Sequence, residues 1–272
     1  MIKLFVSDID GTLLESGKKI PAKNIAAVQK MVAAKITVTI ATGRMYRAAL
    51  PVAKELGVNV PIITYNGALI KSVEGEIIHS EYLPKNLIVE IVNFFESKNW
   101  YMQSYSNDEL FYPFKNEYSE LYETAQKVQG AEIGWQGLRE RTEKVCKILG
   151  ITANAAETLE RTKILKAEFG DKIAVTKSHP QFIEIMLPGV SKAAAVKILA
   201  EKLGVKKSEI MAIGDSENDL PMLQAAGQSV AMGNGTDEVK KSCTFVTGNC
   251  ADGGFADAVE KFVFGGKDFN GK

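Results

Sequence analysis

The chain has 272 residues, 46% hydrophobic and 24% charged, with 33 Lys and Arg against 33 Asp and Glu. That length spans one to two domains and buries roughly 73% of its extended surface, enough for a substantial core. Zero net charge argues against a broad polyanion-binding surface and so against a nucleic-acid partner, because nucleic-acid affinity rests on clustered cations that release counterions.

Lys3 to Ser7 is a short apolar run ending at Asp8-Ile9-Asp10-Gly11-Thr12, as expected of a strand buried on both faces. Pro21 to Ala34 carries Ile25, Val28 and Val32 at helical spacing, and Pro21 suits a first helical turn. Ile36 to Ala41 is the next strand, stopping at Thr42-Gly43-Arg44. Met45 to Leu56 reads as a helix and Pro61 to Tyr65 as a third strand, ending at Asn66-Gly67. This alternation predicts parallel βαβ units. The rhythm then changes. Turn signals at Asn66-Gly67 and Glu74-Gly75 predict a hairpin over 68–82. Leu87 to Lys98 is an amphipathic helix, and residues 100–122 are dense in aromatics that read as core. Strands are expected over Val145–Thr152, Ile173–Lys177 and Phe182–Leu187, with a helix over Ala155–Phe169. After Leu187-Pro188-Gly189 the first rhythm returns: helix Ser191–Leu203, strand Ile210–Ile213, helix Leu220–Ala226, strands Ser229–Met232 and Thr244–Val246, and a last helix Ala251–Phe264. The pattern predicts an α/β protein: a doubly wound, Rossmann-like parallel sheet core (1–83 and 189–272) with an inserted α+β domain (84–188).

In an open parallel sheet, ligands bind at the carboxyl ends of the strands, and polar clusters follow four predicted strands here: Asp8/Asp10, Thr42, Asn66, and Asp215/Asn218/Asp219. Any one of them has a plain reading as a turn, a helix cap or a solvated loop end; four together point to a site. Paired acids divide into nucleophile and acid/base when their environments differ. A carboxylate approaching a phosphate dianion is repelled by about 4 kcal/mol per charge pair at 4 Å, so a cation must stand between them. Asp8 and Asp215, with a backbone carbonyl, suit Mg²⁺. Lys192 adds a fixed positive charge, and Thr42 with the amides around Gly43 offers hydrogen bonds to phosphate oxygens. Arg44 and Asn66 are placed to meet the rest of a substrate.

Asp8-Ile9-Asp10-Gly11-Thr12-Leu13, Thr42-Gly43-Arg44, Lys192 and Gly214-Asp215-Ser216-Glu217-Asn218-Asp219 resemble, in order and spacing, the haloacid dehalogenase superfamily and its Cof-type phosphatases, subclass IIB. Ala231-Met232-Gly233-Asn234 and Asn249 to Gly254 look like that family's closing segments. The resemblance covers the whole chain. It implies a cap over the active site, Asp8 as nucleophile forming an aspartyl-phosphate, and Asp10 as acid and then base. It further implies phosphoryl or substrate contacts from Ile9, Thr42, Gly43, Lys192 and Asn218, and Mg²⁺ held by Asp8, the Asp10 carbonyl and Asp215, with Asp219 behind these groups. Ala193 and Gly235 depart from the family's usual Gly and Ala, both small changes. The expected function is a Mg²⁺-dependent phosphatase of a small phosphorylated metabolite such as a sugar phosphate. A phosphomutase of the phosphomannomutase kind and an aspartyl-phosphoacceptor module are the alternatives. Asp10 and a domain-sized insertion favour an enzyme.

Three cysteines and two histidines lack the spacing of a zinc site, and His79 and His179 read as structural. The short apolar opening is no signal peptide and no stretch is long enough to span a membrane, so a cytoplasmic monomer or homodimer with no membrane partner is expected. Gly266 to Lys272 mimics a P-loop but lacks its Ser/Thr.

Overall fold

The computed structural model describes residues 1–58 and 60–265, so the P-loop-like tail lies outside the described residues. Strand β1 (Leu4–Ser7) is buried along its whole length. Alternate residues serve opposite faces of the sheet. Phe5 joins one apolar cluster, with its ring edge-on to Phe255 at 5.9 Å, while Leu4 and Val6 join another. Burial on both faces explains why this strand reads as a continuous apolar run. The chain continues through α1 (Ala22–Ala33), β2 (Thr37–Ile40), α2 (Tyr46–Leu56), β3 (Ile62–Thr64), β4 (Leu69–Lys71) and β5 (Ile77–Ser80). The predicted hairpin is β4–β5; β3, expected as a parallel core strand, instead pairs antiparallel with β4 and meets the end of β2 only through a parallel bridge between Ala41 and Ile63.

A second sheet follows, built from α3 (Lys85–Ser97), β6 (Met102–Ser106), β7 (Glu109–Tyr112), α4 (Glu117–Gln126), β8 (Gly130–Glu132), α5 (Gly134–Glu140), β9 (Ile148–Ile151), α6 (Ala155–Phe169), β10 (Ala174–Thr176) and β11 (Phe182–Met186). Its strand order is β10-β11-β9-β6-β7-β8, antiparallel except for β7–β8. Ile148, Ile183 and Ile185 pack with Leu87, Ile91 and Phe95 of α3 and Leu165 of α6 on one face. The other face turns toward the first sheet. It is tied there by the Tyr65 hydroxyl, which donates to Asp108 at 2.6 Å, and by Lys147, which donates to the Gly43 carbonyl at 2.6 Å. The aromatic-rich stretch is therefore a β6–β7 hairpin plus α4. Its turn falls at Asn107 and Asp108, both at positive φ, where Asn and Asp are tolerated.

The chain then returns through α7 (Lys192–Leu203), β12 (Ile210–Gly214), α8 (Leu220–Ala225), β13 (Gln228–Ala231), α9 (Asp237–Ser242), β14 (Phe245–Val246) and α10 (Gly254–Ala258). Ser191 caps α7 by accepting the Ala194 N–H. The last helix starts three residues later than its sequence suggests, because Gly253 at φ +91 closes a turn first, and it continues as a π-helical stretch over Val259–Phe264. The five-stranded sheet runs β14-β13-β12-β1-β2, all parallel. From β1 the chain winds outward to β2 on one side and later to β12 on the other. The β1/β12 seam is thus the topological switch point, where a doubly wound sheet opens a crevice. Among the described residues no helix is long and apolar enough to cross a membrane.

Candidate active site

Ser7 lies opposite Ile213 in parallel register, so the residues that follow β1 and β12 emerge side by side at the switch point. Asp8 continues the pairing by donating its N–H to the Ile213 carbonyl. Lys192, the first residue of α7, has a side chain with no exposed surface, and its ammonium donates at 2.6 Å to both Asp8 Oδ1 and Asp219 Oδ1. The other Asp219 oxygen accepts the backbone N–H groups of Asp215 and Ser216 at 3.0 Å. Asp219 therefore spends both oxygens on holding Lys192 and the Asp215 loop. Asp215 accepts from the Thr12 hydroxyl at 2.7 Å and the Ser216 hydroxyl at 3.0 Å. Gly11 sits at φ +80, and a Cβ there would fall 2.5 Å from Asp215 Oδ2; glycine is required for this approach.

Oxygens of Asp8, Asp215 and Asp219 lie within 4.8 Å of one another, with the Lys192 ammonium bonded to two of them. Burial pushes the Asp8 pKa well above the usual carboxylate range, and Asp219, Asp215 and Asp10 push the same way against Lys192. Burial, then Asp219, raises Asp215 to about 6, against hydrogen bonds from Thr12 and Ser216. Burial works against the Lys192 charge, but Asp219 and Asp8 outweigh it and raise its pKa. The crevice holds more negative charge than it neutralises. Its donors are hard carboxylate oxygens, and the buried carbonyl oxygen of Asn218 has no partner among the described residues. That donor set fits a hard divalent cation such as Mg²⁺ and no thiophilic metal.

The Thr42–Gly43 loop leaves β2 beside this cluster. Thr42 is buried, and its hydroxyl accepts the Arg44 N–H at 3.1 Å. A Cβ on Gly43 would come 2.9 Å from Asn66 Oδ1 and 3.2 Å from Glu184 Oε1, so this loop can be approached closely only as glycine. Asp10, at the mouth, has both carboxylate oxygens taken by the Arg44 guanidinium, at 2.6 and 2.7 Å. Asn218 donates to Asn66 Oδ1 at 2.9 Å. Asn66 thus braces Asn218 from behind, off the cavity wall, and the Ile9 side chain is fully buried in the core. Asp8, Asp10, Thr42, Gly43, Arg44, Asp215 and Asn218 all border one cavity of about 900 Å³.

The far wall of that cavity comes from the second sheet and α4, in the segment expected as a cap, and Tyr118 and Tyr122, expected as core, line it. Tyr118, Leu121 and Tyr122 on α4 face His179 and Phe182, whose rings lie 4.9 Å apart. Lys147 and Glu184 form an ion pair at 2.5 Å between them, each side chain 2% exposed. A charged residue in a strand normally marks a solvent face, so only the three-dimensional arrangement identifies this pair as buried. Asn234 closes the site by donating to the Gly11 carbonyl and accepting the Cys250 N–H.

A doubly wound sheet with a buried, cation-seeking acidic crevice at its switch point defines an α/β enzyme working at that crevice. A family model of haloacid dehalogenase-like hydrolases matches residues 5–259. The 5-amino-6-(5-phospho-D-ribitylamino)uracil phosphatase YwtE of Bacillus subtilis is 30% identical over 287 residues, covering 97% of this chain and 99% of the relative. A haloacid dehalogenase-like hydrolase from Bacteroides thetaiotaomicron is 29% identical with a TM-score of 0.87, covering 96% of this chain and 100% of that one. A Thermotoga maritima protein is 32% identical with a TM-score of 0.83, covering 96% and 97%. The chain belongs to the haloacid dehalogenase-like hydrolase family. It is an enzyme of the phosphatase kind, as the Cof-type resemblance of its motifs implies.

Proposed function

We propose that the protein is a Mg²⁺-dependent phosphatase of a small phosphorylated metabolite, a sugar phosphate or a molecule of that size, working through an aspartyl-phosphate on Asp8. On this reading residues 1–83 and 189–272 are the catalytic core, and residues 84–188 are a cap that selects the substrate. The relative named for a ribitylaminouracil phosphate supports a substrate of this class. The free state of all three cysteines suits a cytoplasmic setting. Lys192 carries the reading: a fully buried ammonium spans Asp8 and Asp219, yet burial, and after it the neighbouring carboxylates, still raise Asp8 and Asp215 together.

Asp8, Asp215 and the Asp10 carbonyl would hold Mg²⁺. When bound, the ion supplies charge neutralisation between the carboxylates and the phosphate dianion. The chain does the rest. Lys192 fixes the Asp8 carboxylate and, with the Thr42 hydroxyl and the Gly43 amide, holds the phosphoryl oxygens. An Asp8 oxygen attacks phosphorus as the bond to the leaving oxygen breaks, and Asp10 gives that oxygen a proton. Asp10 then takes a proton from water as the water attacks the phosphorus of the aspartyl-phosphate. Phosphate leaves and Asp8 is regenerated. Arg44 holds both Asp10 carboxylate oxygens, so Asp10 works as acid and base once that pair opens, and Asn218 would contact the phosphate beside the Asp215 loop. The test is phosphate release from a panel of phosphometabolites, with Mg²⁺ and with EDTA. Mg²⁺-dependent release from small phosphomonoesters is expected; no release from any ester, or release indifferent to EDTA, would overturn the proposal.

A further inference from the structure

We propose that Glu184 is a specificity-determining residue whose second carboxylate oxygen accepts a hydrogen bond from a hydroxyl or N–H group on the leaving group of the phosphoester. The inference rests on the phosphatase reading above and adds which group reads the non-phosphate half of the substrate.

Glu184 lies on β11 with a side chain 2% exposed. Oε1 takes the Lys147 ammonium at 2.5 Å. Lys147 is held on its other side by the Gly43 carbonyl at 2.6 Å, so it is anchored to the loop that would grip the phosphate. Oε2 is buried and has no hydrogen-bond partner among the described residues. Buried polar atoms in native proteins are paired, and an orphan calls for an explanation. The neighbouring wall makes no hydrogen bond to it: Leu121, Ile151 and Phe182 carry no donor, and Tyr105 and Tyr122, whose hydroxyls interact with each other, lie close enough to feel the Glu184 charge but leave Oε2 unpaired. Glu184 and Lys147 border the same cavity as Asp8 and Asp10, on the face of the second sheet turned toward the crevice. A substrate with its phosphate at Asp8 has its leaving group between these two walls. The apolar side chains there accept the carbon skeleton of a ring or a sugar, and Glu184 is the carboxylate that a donor on that skeleton meets. A site built around such an acceptor rejects analogues lacking the donor.

The pairing also dictates what Glu184→Gln does. Lys147 is a donor and holds the amide oxygen, so the NH₂ group takes the place of Oε2 and presents a donor where an acceptor stood. Steady-state kinetics on wild type and Glu184→Gln would use glucose 6-phosphate, ribose 5-phosphate and pyridoxamine 5′-phosphate, with p-nitrophenyl phosphate as the donor-free ester. The ratio of kcat/KM for the best donor-bearing ester to that for p-nitrophenyl phosphate should fall about 10- to 100-fold in the variant, mainly through KM. An unchanged ratio overturns the proposal. Should the variant not fold, wild type decides alone. Glucose 6-phosphate against its 2-deoxy analogue tests a hydroxyl, and pyridoxamine against pyridoxal 5′-phosphate tests an amine. At least one pair should differ about 10-fold, and no difference in either overturns the proposal. Wild type that releases no phosphate from any ester refutes the phosphatase reading itself, whereas release with an unmoved ratio refutes only the part assigned to Glu184.

Discussion

Replacing Asp215 by Asn should stabilise the metal-free protein at neutral pH, although it removes a residue of the site. In the fold Asp215 titrates at about 6, against 3.8 ordinarily. Between those values the folded state holds a proton that the unfolded chain releases, so stability falls as pH rises through that window and the loss is complete above about 6. At 1.36 kcal/mol per pH unit the difference amounts to about 3 kcal/mol. Asn keeps the shape and removes the charge. Its weaker hydrogen bonds to the Thr12 and Ser216 hydroxyls return roughly 1 kcal/mol of that gain. The net gain of about 2 kcal/mol corresponds to roughly 4 °C in Tm for a chain of this size. Thermal unfolding in EDTA should show Asp215→Asn above wild type at pH 7.5, with the gap closing by pH 4. Mg²⁺ should raise the wild-type Tm at pH 7.5, hardly raise it at pH 4, and leave the variant unmoved. A variant less stable than wild type at pH 7.5 in EDTA, or a Mg²⁺ effect equal at both pH values, would refute the picture of an undercompensated crevice.

Lys192→Met strands the carboxylates of Asp8 and Asp219 in a buried site, at a cost of about 3–5 kcal/mol and, at roughly 2 °C per kcal/mol, a Tm drop near 8 °C. Its kcat/KM should fall at least ~100-fold, and phosphate-release assays with unchanged rates would remove Lys192 from the phosphoryl clamp. Asp10→Asn should lower kcat/KM, which reads phosphoryl transfer to Asp8, far more for sugar phosphates than for p-nitrophenyl phosphate, whose leaving group needs no proton. An equal fall in kcat/KM for both would remove Asp10 as the leaving-group acid.

The parallel core was legible because its central strands β1 and β12 are buried on both faces and run into polar residues, Ser7-Asp8 and Gly214-Asp215. The crevice was legible for the same reason: strand ends in such a sheet converge on one edge, and Lys192 meets Asp8 and Asp219 there. The second sheet was harder to read. Tyr101 to Tyr112 carries aromatics on both faces of a hairpin, which hides the alternation of a half-buried strand. Lys147 and Glu184 alternate with Ile148 and Ile185 as solvent-facing residues would. Only the docking of that face over Gly43, 104 positions away along the chain from Lys147, turns them inward. Arg44 and Asn66 follow strands, where substrate contacts are expected; the folded chain keeps Arg44 on the cavity wall but pairs it with Asp10, and sets Asn66 behind Asn218, pairings that depend on side-chain reach and not on order in the chain.

The account stands or falls on a covalent bond between Asp8 and phosphorus. Acid quench of the wild-type enzyme during turnover of a ³²P-labelled phosphomonoester, followed by peptide mapping, reads that bond directly. Label on the peptide containing Asp8, released by hydroxylamine and absent from Asp8→Asn, is the predicted result. Turnover that persists in Asp8→Asn, or label retained on any other peptide, would contradict it.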